Sequence, residues 1–447
     1  MNVVDKARLF SINAHNGQVR KNDKDVPYIV HPLYVGLLLK EYGFSDEVVA
    51  AGLLHDTIED TKTTFKDIKK TFGDDIAYLV NTATEQDKRK SWEDRKLEAI
   101  DKIYDLPLAN KAIVACDKIS NLEDIRIKFE KEGKKDFSNF NRGEDKQKWY
   151  YESIYYNLIH NQNKNHPMFV KLKEEIDRVF YDKKDEYLEE VIFDDDKDRL
   201  AKLIKLNAEK EELIKLRKIM SSDCPYIVEF TGTPRTGKTS SIHVLLDYYK
   251  KGGFVTSFID EYTTSKRYKE LYKRELEDLS LKDRNKIIID NVALELINES
   301  HKVSDLLFID RSINDRQIWN YRLLKRGEIP EDEYTILRDN YSLLSRDLID
   351  TLVVTTADPI TSLKRDYGLN LALEKRNFLN EENIIEYNEC LEAIHGLLES
   401  SVSNLLIVDT SNIPLSEEPI IIASSINSDM RKKYIKTIKS EVGYKDK

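Results

Sequence analysis

The sequence predicts a multidomain protein in which an all-α domain is followed by an α/β domain built on a five-stranded parallel sheet. Up to about residue 160 the apolar residues recur at helical spacing, and runs of β-branched residues bounded by turns are almost absent. From Pro225 onward, five short β-rich runs alternate with helical periodicity, the pattern of parallel strands joined by crossover helices. A chain of 447 residues that is 40% apolar can bury two or three cores, and only 15 Gly and 10 Pro exclude collagen-like and low-complexity architectures.

In the first predicted domain, residues 1–165, turn and cap residues cluster at Asn22-Asp23-Lys24-Asp25, Gly43-Phe44-Ser45-Asp46 and Gly73-Asp74 and mark helix boundaries. Asn161 to Pro167 reads as a loop. Residues 166–222 read as a connector, charged and helical from Lys171 to Met220. Within it Leu206, Leu213 and Met220 repeat every seven residues with Leu203 and Leu216 near the intervening positions, a stripe that packs on one of the domains or forms a short coiled-coil seam. In the last domain, 223–447, strands are expected at Tyr226–Phe230, Phe254–Ile259, Leu306–Ile309, Leu352–Thr356 and Leu405–Val408.

Subtracting 81 acidic from 71 basic side chains gives a net charge of −10, so no global positive field draws the chain to nucleic acid or anionic lipid. Phosphate recognition must be local, and no direct nucleic-acid or membrane partner is expected. The longest apolar run, Val48 to Leu54, falls far short of the ~18 residues that span a bilayer, and the start lacks signal-peptide features. A cytoplasmic enzyme is expected, with self-association left open. Cys116, Cys224 and Cys390 lie more than 100 residues apart, which excludes a disulfide framework and a thiolate zinc site.

His31, the pair His55-Asp56, and Asp117 carry the first chemical signal. A carboxylate entering a helix as apolar as Val48 to Leu54 is costly unless a cation or hydrogen bonds compensate it. Two imidazoles and two carboxylates form a mixed site suited to Mn²⁺, Fe²⁺ or Zn²⁺. Glu59 is i+4 from His55 and Asp60 is i+4 from Asp56, on or beside the ligand-bearing face and in reach of a water there.

Val26-Pro-Tyr-Ile-Val-His-Pro32, Ala51-Gly-Leu-Leu-His-Asp-Thr-Ile-Glu-Asp-Thr61, Phe72-Gly73 and Ala115-Cys-Asp-Lys-Ile-Ser-Asn-Leu122 resemble the HD hydrolase domain of RelA/SpoT-type enzymes, closest to the small stand-alone alarmone hydrolases. The resemblance implies one Mn²⁺ held by His31, His55, Asp56 and Asp117, with Glu59 and Asp60 as the catalytic carboxylates. It also implies removal of the 3′-pyrophosphate of the guanosine polyphosphates ppGpp and pppGpp. Arg20 and Lys21 match basic positions near purine and phosphates, although Asp25 stands where a glycine is common. Asn121, i+4 from Asp117, matches a ribose or phosphate contact, and Lys146 and Tyr150 would supply further contacts. No synthetase motif follows, so alarmone synthesis is not expected.

Tyr226 to Ser240 is an apolar strand running into Gly-x-x-x-x-Gly-Lys-Thr and then a helical pattern, the setting of a P-loop. Gly232 and Gly237 let the backbone wrap phosphates, Lys238 reaches the β/γ oxygens of ATP, and Thr239 bonds Mg²⁺. Asp310 ends the third strand where it can bond the magnesium shell, and Arg311 can hold a phosphate. With Asn314 to Trp319, Asp350 to Pro359 leading to Arg365, and Glu374-Lys-Arg-Asn377, this half resembles thymidylate kinase and related nucleotide kinases. That resemblance implies that Lys375 or Arg376 closes on ATP, while the Arg-Pro-Gly acceptor motif of thymidylate kinases is absent. Three functions follow as expectations: a guanosine polyphosphate hydrolase joined to a kinase-like domain, a kinase with an accessory phosphohydrolase, or a P-loop domain that binds nucleotide only to regulate the hydrolase.

Overall fold

The computed structural model describes residues 1–84, 89–138, 140–181, 197–223, 225–264, 266–271, 275–369 and 380–445. They form two compact units, Met1–Ser221 together with Lys433–Lys447, and Ser222–Lys432.

The first unit is helical. Its Asp46–Leu54 helix is buried from Val48 to Leu54 and packs on the helices Val3–Ala14 and Val30–Glu41. Gly52 permits that approach, because a Cβ there would lie 2.2 Å from Leu39 Cδ1. The 25-residue Leu108–Glu132 helix ends at Gly133 in the left-handed region and packs against Val30–Glu41 and Pro167–Phe180. One departure from an all-helical domain is a short antiparallel ribbon, in which β1 (Val19–Arg20) pairs with β2 (Asp23–Pro27). The Asn22 to Asp25 cluster, read as a helix boundary, serves this ribbon, which leads into the helix bearing His31. Gly73 fits its expected role: at φ +91 it closes Phe65–Phe72 and opens Asp74–Ala83.

The segment read as a connector is divided differently. Pro167–Phe180 and Lys197–Ile219 are both helices of the first unit, and residues 182–196 lie outside the described residues. The Lys197–Ile219 helix buries Leu206, Leu213, Leu216 and Ile219 against Leu108–Glu132. Ion pairs Arg126–Glu211 at 2.5 Å, Lys131–Glu212 at 2.7 Å and Lys215–Asp124 at 2.5 Å join the two helices. Later residues complete the unit: the Ser221 N–H donates to Glu441 Oε2 at 3.0 Å, Asn16 Nδ2 to Gly443 O at 3.2 Å, and the Lys445 N–H to Asn16 Oδ1 at 3.1 Å.

In the second unit the strands are β3 (Tyr226–Gly232), β4 (Thr256–Ile259), β5 (Leu306–Asp310), β6 (Thr351–Thr356) and β7 (Asn404–Asp409). All pairings are parallel, in the order β4-β5-β3-β6-β7, so β3 sits at the centre and is buried throughout. Each coincides with an expected run to within two residues at either end. Glu229, fully buried on β3, accepts the Ser312 N–H at 2.8 Å, the Asp315 N–H at 3.0 Å and Asn314 Nδ2–H at 2.9 Å. It thereby caps the helix Ile313–Lys325 that follows β5. Burial pushes its carboxyl up to about 7 despite those donors.

Candidate functional site

Three helices and one short turn bring the first constellation together. His31 stands at the start of Val30–Glu41, His55 and Asp56 directly follow Asp46–Leu54, Glu59 and Asp60 lie in the Thr57–Asp60 turn, and Asp117 is on Leu108–Glu132. Ligand atoms of His31, His55 and Asp117 all fall within 4.8 Å of one another. Asp56 joins them, its Oδ2 3.1 Å from His55 Nε2 and 3.5 Å from His31 Nε2, while Asp117 Oδ1 is 3.2 Å from His31 Nε2.

Each imidazole is oriented through its other nitrogen. His55 Nδ1–H donates to Gly52 O at 2.8 Å, and His31 Nδ1 lies 2.9 Å from Ser120 Oγ. Both Nε2 atoms then face the carboxylates, and that of His55 is buried without a well-formed hydrogen bond. Burial opposes charge on His55, yet Asp56 and Asp117 outweigh it and hold its pKa well above the usual imidazole range. A buried imidazole nitrogen without a well-formed hydrogen bond, set beside two half-buried carboxylates, marks a place that favours positive charge, and the donor set fits a divalent transition metal.

A cavity of about 490 Å³ opens over this cluster. Glu59, Asp60, Lys21, Asn121 and Tyr150 line it. Asn121 Nδ2 donates to Asp117 Oδ1 at 2.6 Å. Arg20 turns instead to Asn121 Oδ1 at 3.1 Å and Asp124 Oδ2 at 2.8 Å, and lines an adjoining cavity. Lys146 is exposed, 5.8 Å from the Trp149 ring, and is not among the residues lining either cavity.

Sequence reasoning missed several side chains here. Tyr28 O–H reaches Asp56 Oδ2 at 2.7 Å and Asp60 Oδ2 at 3.1 Å, and burial beside those carboxylates raises its pKa so that it stays a donor. Its position three residues before His31 was the available signal. Lys118 Nζ pairs with Asp117 Oδ2 at 2.7 Å, and Arg95, Lys96 and Lys102 bring basic charge from the Trp92–Ile103 helix.

The second constellation surrounds the loop after β3. Gly232, at φ +132, passes so close to β6 that a Cβ would lie 1.9 Å from Thr355 O, and Gly237, at φ +103, precedes the Lys238–Gly252 helix. Lys238 is buried and donates to Thr233 O at 2.7 Å and Gly232 O at 3.3 Å. Burial, reinforced by Arg311, lowers its pKa to about 7. Thr239 Oγ1 donates to Asp310 Oδ2 at 3.0 Å, leaving Asp310 Oδ1 buried and unpaired. That orphaned oxygen beside a hydroxyl suits a hard cation such as Mg²⁺. Arg311 spans Asp315 Oδ1 at 2.7 Å and Gly232 O at 3.0 Å. Lys375 and Arg376 lie outside the described residues.

Comparison with known proteins agrees with the helical unit. Residues 7–137 match the HD domain family. The MESH1 guanosine-3′,5′-bis(diphosphate) 3′-pyrophosphohydrolase of Xenopus tropicalis is 37% identical over 123 residues, 27% of this chain and 68% of that protein. A GTP pyrophosphokinase of Streptomyces coelicolor is 35% identical over 136 residues, 30% of this chain but only 16% of that protein's length. The solved thymidylate kinase of Candida albicans is 13% identical with a TM-score of 0.36, covering 48% of this chain and 95% of that one. No helix among the described residues is long and apolar enough to cross a membrane. With His31, His55 and Asp117 drawn together and a relative matched over two thirds of its length, the chain belongs, through residues 7–137, to the HD-domain family.

Proposed function

We propose that the first unit is a Mn²⁺-dependent hydrolase that removes the 3′-pyrophosphate of guanosine polyphosphates, and that it is coupled to a second unit that binds Mg²⁺ and ATP through its P-loop. The observation that carries this reading is the convergence of His31, His55 and Asp117, with Asp56 alongside, under a cavity that also holds paired carboxylates and several lysines. The activity carried in the name of the Xenopus relative supports the substrate.

Bound by the two imidazoles and two carboxylates, Mn²⁺ would act as a Lewis acid toward a phosphate oxygen. Glu59 and Asp60 would orient the attacking water and take its proton, with Tyr28 O–H holding Asp60 beside Asp56. Lys21, Lys96 and Lys118 would balance phosphate charge, and Asn121 and Tyr150 would border the ribose. Incubation of the purified chain with ppGpp and Mn²⁺ should release pyrophosphate, and Asp117→Asn should not. A wild-type protein that binds Mn²⁺ yet releases none overturns the substrate assignment.

A second reading, phosphoryl transfer by the P-loop unit, is favoured by a cavity of about 590 Å³ beside Gly232 and Pro234. Arg311, Arg316, Arg322, Trp319 and Tyr387 line it, a combination suited to an aromatic acceptor that carries phosphate. Incubation with ATP and a panel of nucleotides decides between transfer and regulation: a phosphorylated product supports transfer, and binding without product supports regulation.

A further inference from the structure

Behind His31, Ser120 is contacted by a helix that lies beyond residues 7–137. His31 Nδ1 is 2.9 Å from Ser120 Oγ. Lys215 Nζ approaches the same Oγ at 3.3 Å and also donates to Ser120 O at 3.4 Å and Asp124 Oδ1 at 2.5 Å. Lys215, on Lys197–Ile219, is buried, its ammonium 4.3 Å above the ring of Tyr34, which stands one turn from His31 on the same helix.

An ammonium carries three protons and no lone pair, so toward Ser120 Oγ it acts only as donor. With one lone pair of Oγ engaged by Lys215, the other can accept the proton of His31 Nδ1. That arrangement leaves the Nε2 lone pair directed at the carboxylate cluster. Without Lys215 the Ser120 hydroxyl is freer to turn and donate to Nδ1, which would shift the imidazole proton to Nε2, where it blocks a metal ligand.

We propose that Lys215 is a positioning residue of the metal centre, setting the tautomer of His31 through Ser120; the proposal rests on the metal reading above. It assigns part of the centre's support to a helix outside the family-matched residues. Arg20 gives Asp124 a second partner at 2.8 Å, so loss of Lys215 does not leave that carboxylate alone. The Lys131–Glu212 pair, 2.7 Å apart, joins the same two helices without touching Ser120 or His31, and provides the control for mere docking.

Mn²⁺ binding to the full chain, followed by loss of the free-ion electron paramagnetic resonance signal, tests this. Lys215→Met should weaken binding about tenfold to a hundredfold, whereas Lys131→Met should retain wild-type affinity. Lys215→Arg, which restores a donor, should recover much of the loss. Ser120→Ala should weaken binding as well, and the Ser120→Ala/Lys215→Met double variant should lose no more than the worse single one. If circular dichroism shows Lys215→Met unfolded, Lys215→Gln takes its place in the same comparisons. Wild-type affinity in the Lys215 variant, equal losses in the Lys215 and Lys131 variants, or additive losses with Ser120→Ala would overturn the proposal. His55→Ala keeps the two claims apart: if it binds Mn²⁺ as the wild type does, or the wild type binds none, the metal reading itself falls and the proposal with it.

Discussion

The two candidate sites meet opposite electrostatic problems. In the HD unit Asp56 and Asp117 converge on two imidazoles, and one buried nitrogen, His55 Nε2, is left without a well-formed hydrogen bond. The loop after β3 instead folds a lysine back on itself, with Lys238 donating to the carbonyls of Thr233 and Gly232. Its carboxylate, Asp310, is already half satisfied by Thr239. The first site is thus a cluster of carboxylates and imidazoles that favours positive charge, whereas the second has a cation that must exchange its own loop's carbonyls for a phosphate. Preorganisation is expected to dominate in the first and rearrangement in the second.

The sharpest way to break this contrast is to remove a ligand. Asp117→Asn should abolish Mn²⁺ binding and reduce hydrolysis to background, measured by metal analysis and pyrophosphate release. A centre that keeps its ion would show that the acceptors are not what holds it. Next in size is the carboxylate pair. Glu59→Gln/Asp60→Asn should retain Mn²⁺ and lose ~10²–10⁴ in turnover, the usual cost of losing proton transfer; a variant with wild-type turnover would end that assignment.

Lys238→Ala sharpens the other side of the comparison. Calorimetry should find ATP binding lost, and ATP should change the rate of hydrolysis in the wild type but not in this variant. Equal response in both would mean that the P-loop does not mediate coupling. The smallest effect concerns Glu229, whose folded-state pKa of about 7 lies above the ordinary 4.5. A raised carboxyl pKa contributes stability that is complete below 4.5 and lost as pH rises toward 7, because the folded state holds the extra proton. Thermal melts between those limits should fall more steeply for the wild type than for Glu229→Gln. The difference should be on the order of ten degrees, since a shift of this size corresponds to about 3 kcal/mol and a unit of this size moves about 2–4 °C per kcal/mol.

What the sequence made legible follows from periodicity and spacing. All five parallel strands appear at their expected runs because short β-rich runs and flanking turns are local signals, and the cluster of His31, His55 and Asp117 was readable because each lies in a short run of unusual chemistry. The Lys197–Ile219 helix was harder. Its buried face includes Lys210 and Lys215 beside Leu206, Leu213 and Leu216, and lysines in a pattern look like solvent exposure when their partners are far away in sequence. The same distance hid the turning of Arg20 toward Asp124, a pairing across 104 positions. The ribbon β1–β2 escaped because one strand is two residues long, too short for any alternation to register.

The discontinuity of the first unit also bears on how the protein is made. Residues 222–432 are inserted between its two parts, so the bonds from Asn16 to Gly443 and Lys445 cannot form until the ribosome has translated the whole second unit. The entropy of closing so long an excursion rises only with the logarithm of its length, so the finished structure suffers little. The cost is in timing: the HD body waits on the nascent chain with one flank uncovered while the P-loop unit is synthesised and can fold. Production of the HD body by stopping translation after residue 221 would omit that flank, and a fused body with residues 433–447 rejoined by a short linker is the better minimal design.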